Sequence, residues 1–178
     1  MSQTAPSRSL DSQNPMIQAL IAELEQETQT TRRVLERVPG DKLSWKPHAK
    51  SMSLGQLALH VATTPGGIAR ILSADSFDIT SFGQQEAATA SELLPALEES
   101  LNSARSFLSG LDDQQAGATW RLTREGKELM ALPRIAVVRS ILLNHWYHHR
   151  GQLSVYLRLL DVPVPSIYGP SADENPFV

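Results

Sequence analysis

The sequence predicts an all-α protein, a four-helix bundle with a small β-hairpin ahead of its last helix, and three observations carry that expectation. Four long stretches repeat apolar residues every three or four positions, the period of a helix with one buried face. Between Ala118 and Pro133 the period shortens to two around TREGKE, with Gly126 in the turn, as paired strands require. At 178 residues the chain can bury roughly 70% of the surface its unfolded form exposes, so four helices can share a core without disulfide staples.

Taken in order, residues 1–14, MSQTAPSRSLDSQN, hold too few apolar groups to offset the entropy of ordering, and we expect a disordered leader before a single domain over 15–178. Asn14 and Pro15 form an N-cap and N1 pair for the first helix, whose stripe is Met16, Leu20, Leu24, Val34, Leu35 and Val38. Pro39 and Gly40 end it. Ser53 and Gln56 have the spacing of a capping box for a second helix, which runs to about Ala74 with His60 inside it. A kink is expected at Pro65–Gly67, because proline removes a backbone donor and collides with the carbonyl four residues back. Residues 75–87 read as a long loop. The third helix spans about Thr89 to Ser109 and stops at Gly110. After the hairpin, Pro133 at N1 opens a fourth helix that reaches about Leu160, and four prolines in VPVPSIYGPSADENPFV force the tail to be extended and laid across the bundle.

Composition narrows the chemistry. With no cysteine, a thiolate metal site, an Fe–S cluster or a cysteine nucleophile is excluded, so a transition metal would need imidazole or carboxylate donors. The net charge of −3 and the scattered basic residues give no electrostatic basis for nucleic-acid binding. No stretch has the length of a membrane span or a signal-peptide core, so we expect a cytoplasmic protein without a membrane partner.

The chemistry-bearing stretch is RSILLNHWYHHRGQLSVYLRLL, Arg139 to Leu160, which holds three of the five histidines. His145 and His149 are four residues apart, about 40° around the helix and one turn along it, a chelating geometry. Two imidazoles underligate an ion, and His60 is the third candidate. Taken singly, a histidine on an apolar face is more often a core residue, and the glutamate of an HExxH pair is missing here. A His145/His148 pair is also sterically possible; His149 is preferred because Leu142, His145, His149 and Tyr156 make the straighter inward stripe, with His148 at the rim. Arg150 reads as a surface or interface cation. Gly151 in mid-helix suggests close approach by another helix, and Gln152, on the histidine face, can orient a ligand.

SWKPHAKSMSLGQLALHVA, the LPR at the start of the fourth helix, and NHWYHHRGQLSVYLRLLDVPVPSIYGPSADE together resemble the DinB-like family, the DinB/YfiT-type four-helix bundles, from about Met16 onward. The resemblance implies a bundle, often a homodimer, holding a divalent ion such as nickel or zinc on three histidines, here His60, His145 and His149. It implies no single activity. Related bundles include bacillithiol S-transferases and mycothiol-dependent maleylpyruvate isomerase, while many members are described only as metal-dependent hydrolases. The expectation is therefore a metal-binding protein acting on an unknown small molecule, with a thiol-dependent transferase, a low-molecular-weight thiol serving as co-substrate, ahead of two alternatives. These are a metal-dependent hydrolase, which lacks an acidic residue on the histidine face of the fourth helix, and a non-catalytic metal- or ligand-binding dimer. No catalytic residue beyond the ligands is assigned.

Overall fold

The computed structural model describes residues 14–81, 83 and 85–177, so the expected leader lies outside the described residues except for Asn14. Four long helical elements dominate: α1 (Pro15–Leu35), α2 (Leu54–Leu72), α3 (Leu93–Gly110), and a composite last helix. A five-residue helix, α4 (Asp113–Gly117), follows α3. The last helix is built from α5 (Arg134–Val137), a π-helical stretch Val138–Leu143, and α6 (Asn144–Leu159).

The start signals work as local chemistry demands. Asn14 accepts from the Met16 amide at 2.8 Å with proline at N1, and Ser53 and Gln56 cap α2 reciprocally. α1 stops at Leu35, earlier than Pro39, although Val38 still packs into the core. Pro133 ends a strand and caps the last helix without entering it.

The segment after α2 corrects the sequence reading. Within the expected loop, β1 (Ser76–Asp78) pairs in parallel with β2 (Thr119–Arg124), which pairs antiparallel with β3 (Lys127–Pro133), giving the order β1-β2-β3. The hairpin turn places Glu125 at φ 52° and Gly126 at φ 78°, the two left-handed residues of a tight type I′ connection. β1 has only three residues, and its partner lies 45 positions away, so no local pattern announces it.

α2 packs extensively on α3, and α1 and α6 close the helical layer. At the tightest point, a Cβ on Gly66 would sit 2.7 Å from the Ser100 backbone, and the Gly66 amide donates to Ser100 Oγ at 2.7 Å. Gly66, and not Gly151, is therefore the glycine of close helix approach; a Cβ on Gly151 would meet nothing within 4 Å. The tail beyond Leu160 is non-helical and buries Val164 and Ser166. It is tied down by the ion pairs Arg33–Glu174 and Arg158–Asp173.

Two buried arginines organise the joints. Arg134 donates to the carbonyls of Leu72 (2.9 Å) and Gln115 (2.7 Å) and pairs with Asp75, satisfying groups left over at two helix C-termini. Arg150, expected at the surface, is 1% exposed and pairs with Glu27 at 2.6 Å. It also reaches Thr31 Oγ1 and Tyr168 Oη and lies against the rings of Tyr147 and Tyr168. Full pairing is what allows a guanidinium to sit this deep.

Candidate metal centre

α2 delivers His60 from its middle, and α6 delivers His145 and His149 from its first turns. One ring nitrogen from each lies within 4.8 Å of the other two. His60 Nε2 and His145 Nε2 are 3.1 Å apart, and the three rings meet nearly edge to face, with centroids 4.3 to 5.3 Å apart. Two nitrogens about 2.0–2.1 Å from a tetrahedral ion are separated by about 3.3 Å, so the spacing fits a shared ion. Neutral imidazoles are a donor set that divalent zinc, nickel and their neighbours accept. His148, by contrast, is exposed and outside this trio.

Electrostatics keep the donors unprotonated. Burial, reinforced by the neighbouring His145, lowers His60 to about 4. Burial and then the His60 and His145 rings lower His149 to about 4. Burial likewise lowers His145, with His148 adding to it. Each ring therefore offers a lone pair at neutral pH.

Second contacts fix the rings. Gln152 Oε1 lies 2.7 Å from His149 Nδ1, so it accepts the Nδ1 proton and leaves the Nε2 lone pair available. Gln152, read from the sequence as able to orient a bound ligand, instead orients a histidine ring. Pro65 lacks the amide that would bond the Val61 carbonyl, and Trp146 Nε1 donates to that oxygen at 2.8 Å instead. Helices α2 and α6 are cross-linked one residue beyond His60 and one beyond His145. As expected, α2 runs on through Pro65, here to Leu72. That joint was not legible in the sequence, although Pro65 and Trp146 both were.

The π-helical stretch just before His145 matters for aim. Residues four apart on an α-helix run ahead by about 40°, and a turn with i→i+5 bonds holds them back. Val137, Ile141, His145 and His149 accordingly line the same cavity, of about 370 Å³. Its far side is the sheet: Phe77 and Leu122 are register partners on β1 and β2, and Trp120 lies two residues before Leu122 on the same face. Apart from the three histidines, every side chain lining it is hydrocarbon, indole or thioether.

The DinB family model matches residues 1–175. The uncharacterized protein YrdA of Bacillus subtilis (strain 168) is 26% identical over 151 residues, spanning 83% of this chain and 85% of that protein. A DinB-like protein, YjoA, from Bacillus subtilis superposes with a TM-score of 0.62 at 21% identity, covering 80% of this chain and 92% of its own. A DinB-like protein from Bacillus cereus ATCC 10987 superposes with a TM-score of 0.66 at 20% identity, covering 85% and 97%. At these identities the two structures speak to the fold alone.

Proposed function

This chain belongs to the DinB family, and we propose that it holds a divalent ion, nickel or zinc, on His60, His145 and His149 and transfers a thiol to an electrophile beside them. The observation that carries the reading is the convergence of three imidazoles, with nitrogens within 4.8 Å of one another, at the wall of an apolar cavity. An ion in that position supplies Lewis acidity, polarising an electrophile and stabilising an anionic sulfur nucleophile.

The protein's own residues do the rest. Gln152 holds the His149 ring, the Trp146–Val61 bond holds the two helices in register, and Met52, Phe77 and Ile141 exclude water from the reacting face. In the transfer, a sulfur–carbon bond forms, the leaving group departs with its electron pair, and the thiol proton passes to solvent. A small thiol brings its own nucleophile, which suits a cavity lined by no carboxylate among the described residues. Hydrolysis would need a base to activate water, and that absence ranks it second. The family resemblance further suggests a cytoplasmic homodimer; as a separate fact, among the described residues no helix is long and apolar enough to cross a membrane.

The test begins with elemental analysis of protein purified without a histidine tag. The metal-loaded protein is then incubated with 1-chloro-2,4-dinitrobenzene and a panel of low-molecular-weight thiols. Thioether formation that stops on chelation and in His149→Ala is expected. Metal-dependent ester cleavage without a thiol would transfer the assignment to a hydrolase, and bound metal without either turnover would leave a binding module.

A further inference from the structure

The histidine trio occupies one side of the 370 Å³ cavity, and the remaining wall states what the rest of a ligand must look like. Met52, Ile71, Phe77, Trp120, Leu122 and Ile141 come from α2, both adjoining strands, the π-helical stretch and the loop before α2. No Lys, Arg, Asp or Glu of the described residues lines it. The Trp120 indole nitrogen is buried with no hydrogen-bond partner among the described residues, so it is not offered to the cavity either. A carboxylate or phosphate taken out of water against this wall would remain uncompensated.

We infer that the cavity wall away from the histidines selects an uncharged, predominantly apolar organic skeleton, aromatic or branched, of a size suited to 370 Å³, and rejects the same skeleton carrying an anionic group against that wall. This rests on the metal reading for the identity of the reacting end, but not for the selection itself. The hydrocarbon surface removed from water supplies affinity, and the absence of a cationic side chain from the wall away from the histidines supplies discrimination there. Ile79, 42% exposed, is the most open of the lining residues and sits at the rim, so a charge placed there should alter selectivity without disturbing the core.

Two probes with one skeleton test the inference: neutral N-phenyl-1-naphthylamine and its sulfonated counterpart, 1-anilinonaphthalene-8-sulfonate. Fluorescence titrations use the protein as purified and again after chelation, with metal content measured on the same samples. Expected in the chelated sample is one-to-one binding of the neutral probe at least tenfold tighter than the anion, with a smaller margin in protein that carries metal, where the ion attracts the sulfonate. Ile79→Lys should weaken the neutral probe at least threefold and tighten the anion, and Ile141→Trp should abolish binding of the neutral probe. Equal or tighter binding of the anion by the chelated protein, or neutral-probe binding untouched by Ile79→Lys, overturns the inference. Purified protein that carries no metal and takes up neither nickel nor zinc on addition, yet keeps the selectivity, sinks the proposed function and leaves this inference standing.

Discussion

Trp146 Nε1 donates to the Val61 carbonyl at 2.8 Å, the oxygen that Pro65 deprives of its helical partner. Trp146→Phe should therefore strand a buried acceptor and lower stability by about 1–3 kcal/mol in denaturant titration. In a Pro65→Ala background, where residue 65 regains an amide, the same substitution should cost measurably less. A double-mutant cycle with no coupling would show that the two positions act independently.

Removing any one of His60, His145 or His149 as alanine should reduce bound metal to background, with His148→Ala retaining full content. Atomic emission on tag-free protein decides this. The opposite pattern at positions 148 and 149 would reassign the fourth-helix pair.

Acid should weaken the metal-free protein through the same rings. His60 and His149 titrate near 4 in the folded state against about 6.5 in the unfolded chain, so between those values the unfolded state binds more protons. A lowered base destabilises the fold as it is forced to charge, and stability should fall as pH drops from about 6.5 towards 4. Melting temperatures across that window, compared with those of a His60→Gln/His149→Gln protein, should show a shallower fall in the variant.

The buried pair Arg150–Glu27 predicts asymmetric mutagenesis. Arg150→Met leaves Glu27, only 8% exposed, without its partner and should destabilise by about 3–5 kcal/mol. Adding Glu27→Leu should recover a substantial part of the loss, because it removes the stranded charge. Chemical denaturation of the single and double variants measures both.

Two glycines should respond with opposite signs. Gly151→Ala, exposed in α6 with open space at its Cβ, should stabilise by about 0.5–1 kcal/mol. Gly66→Ala forces a methyl into the Ser100 backbone and should destabilise by about 1–3 kcal/mol or more.

Legibility in the sequence followed the range of the interaction. Caps at Asn14 and Ser53, the hairpin around Gly126 and the helical spacing of His145 and His149 are local, and each could be read from neighbouring residues. That His60 stands level with them is long-range, yet its place in the middle of an apolar helix pointed there, and the structure brings the three rings together. β1 escaped because a three-residue strand with a distant parallel partner has no period to detect. Arg150 escaped because only the fold supplies Glu27, Thr31 and Tyr168 around it. The π-helical stretch has no residue code, and the stripe through Leu142 and His145 looked straight without it.

Tyr168 sits on the C-terminal strap, yet its hydroxyl bonds both Arg150 and Glu27, and Arg150 is the immediate neighbour of His149. A protease that clipped the chain ahead of residue 168 would therefore do more than trim a surface ribbon. It would uncork the deepest ion pair among the described residues and loosen the helical turn that aims an imidazole, so damage far along the sequence would register at the chemical centre.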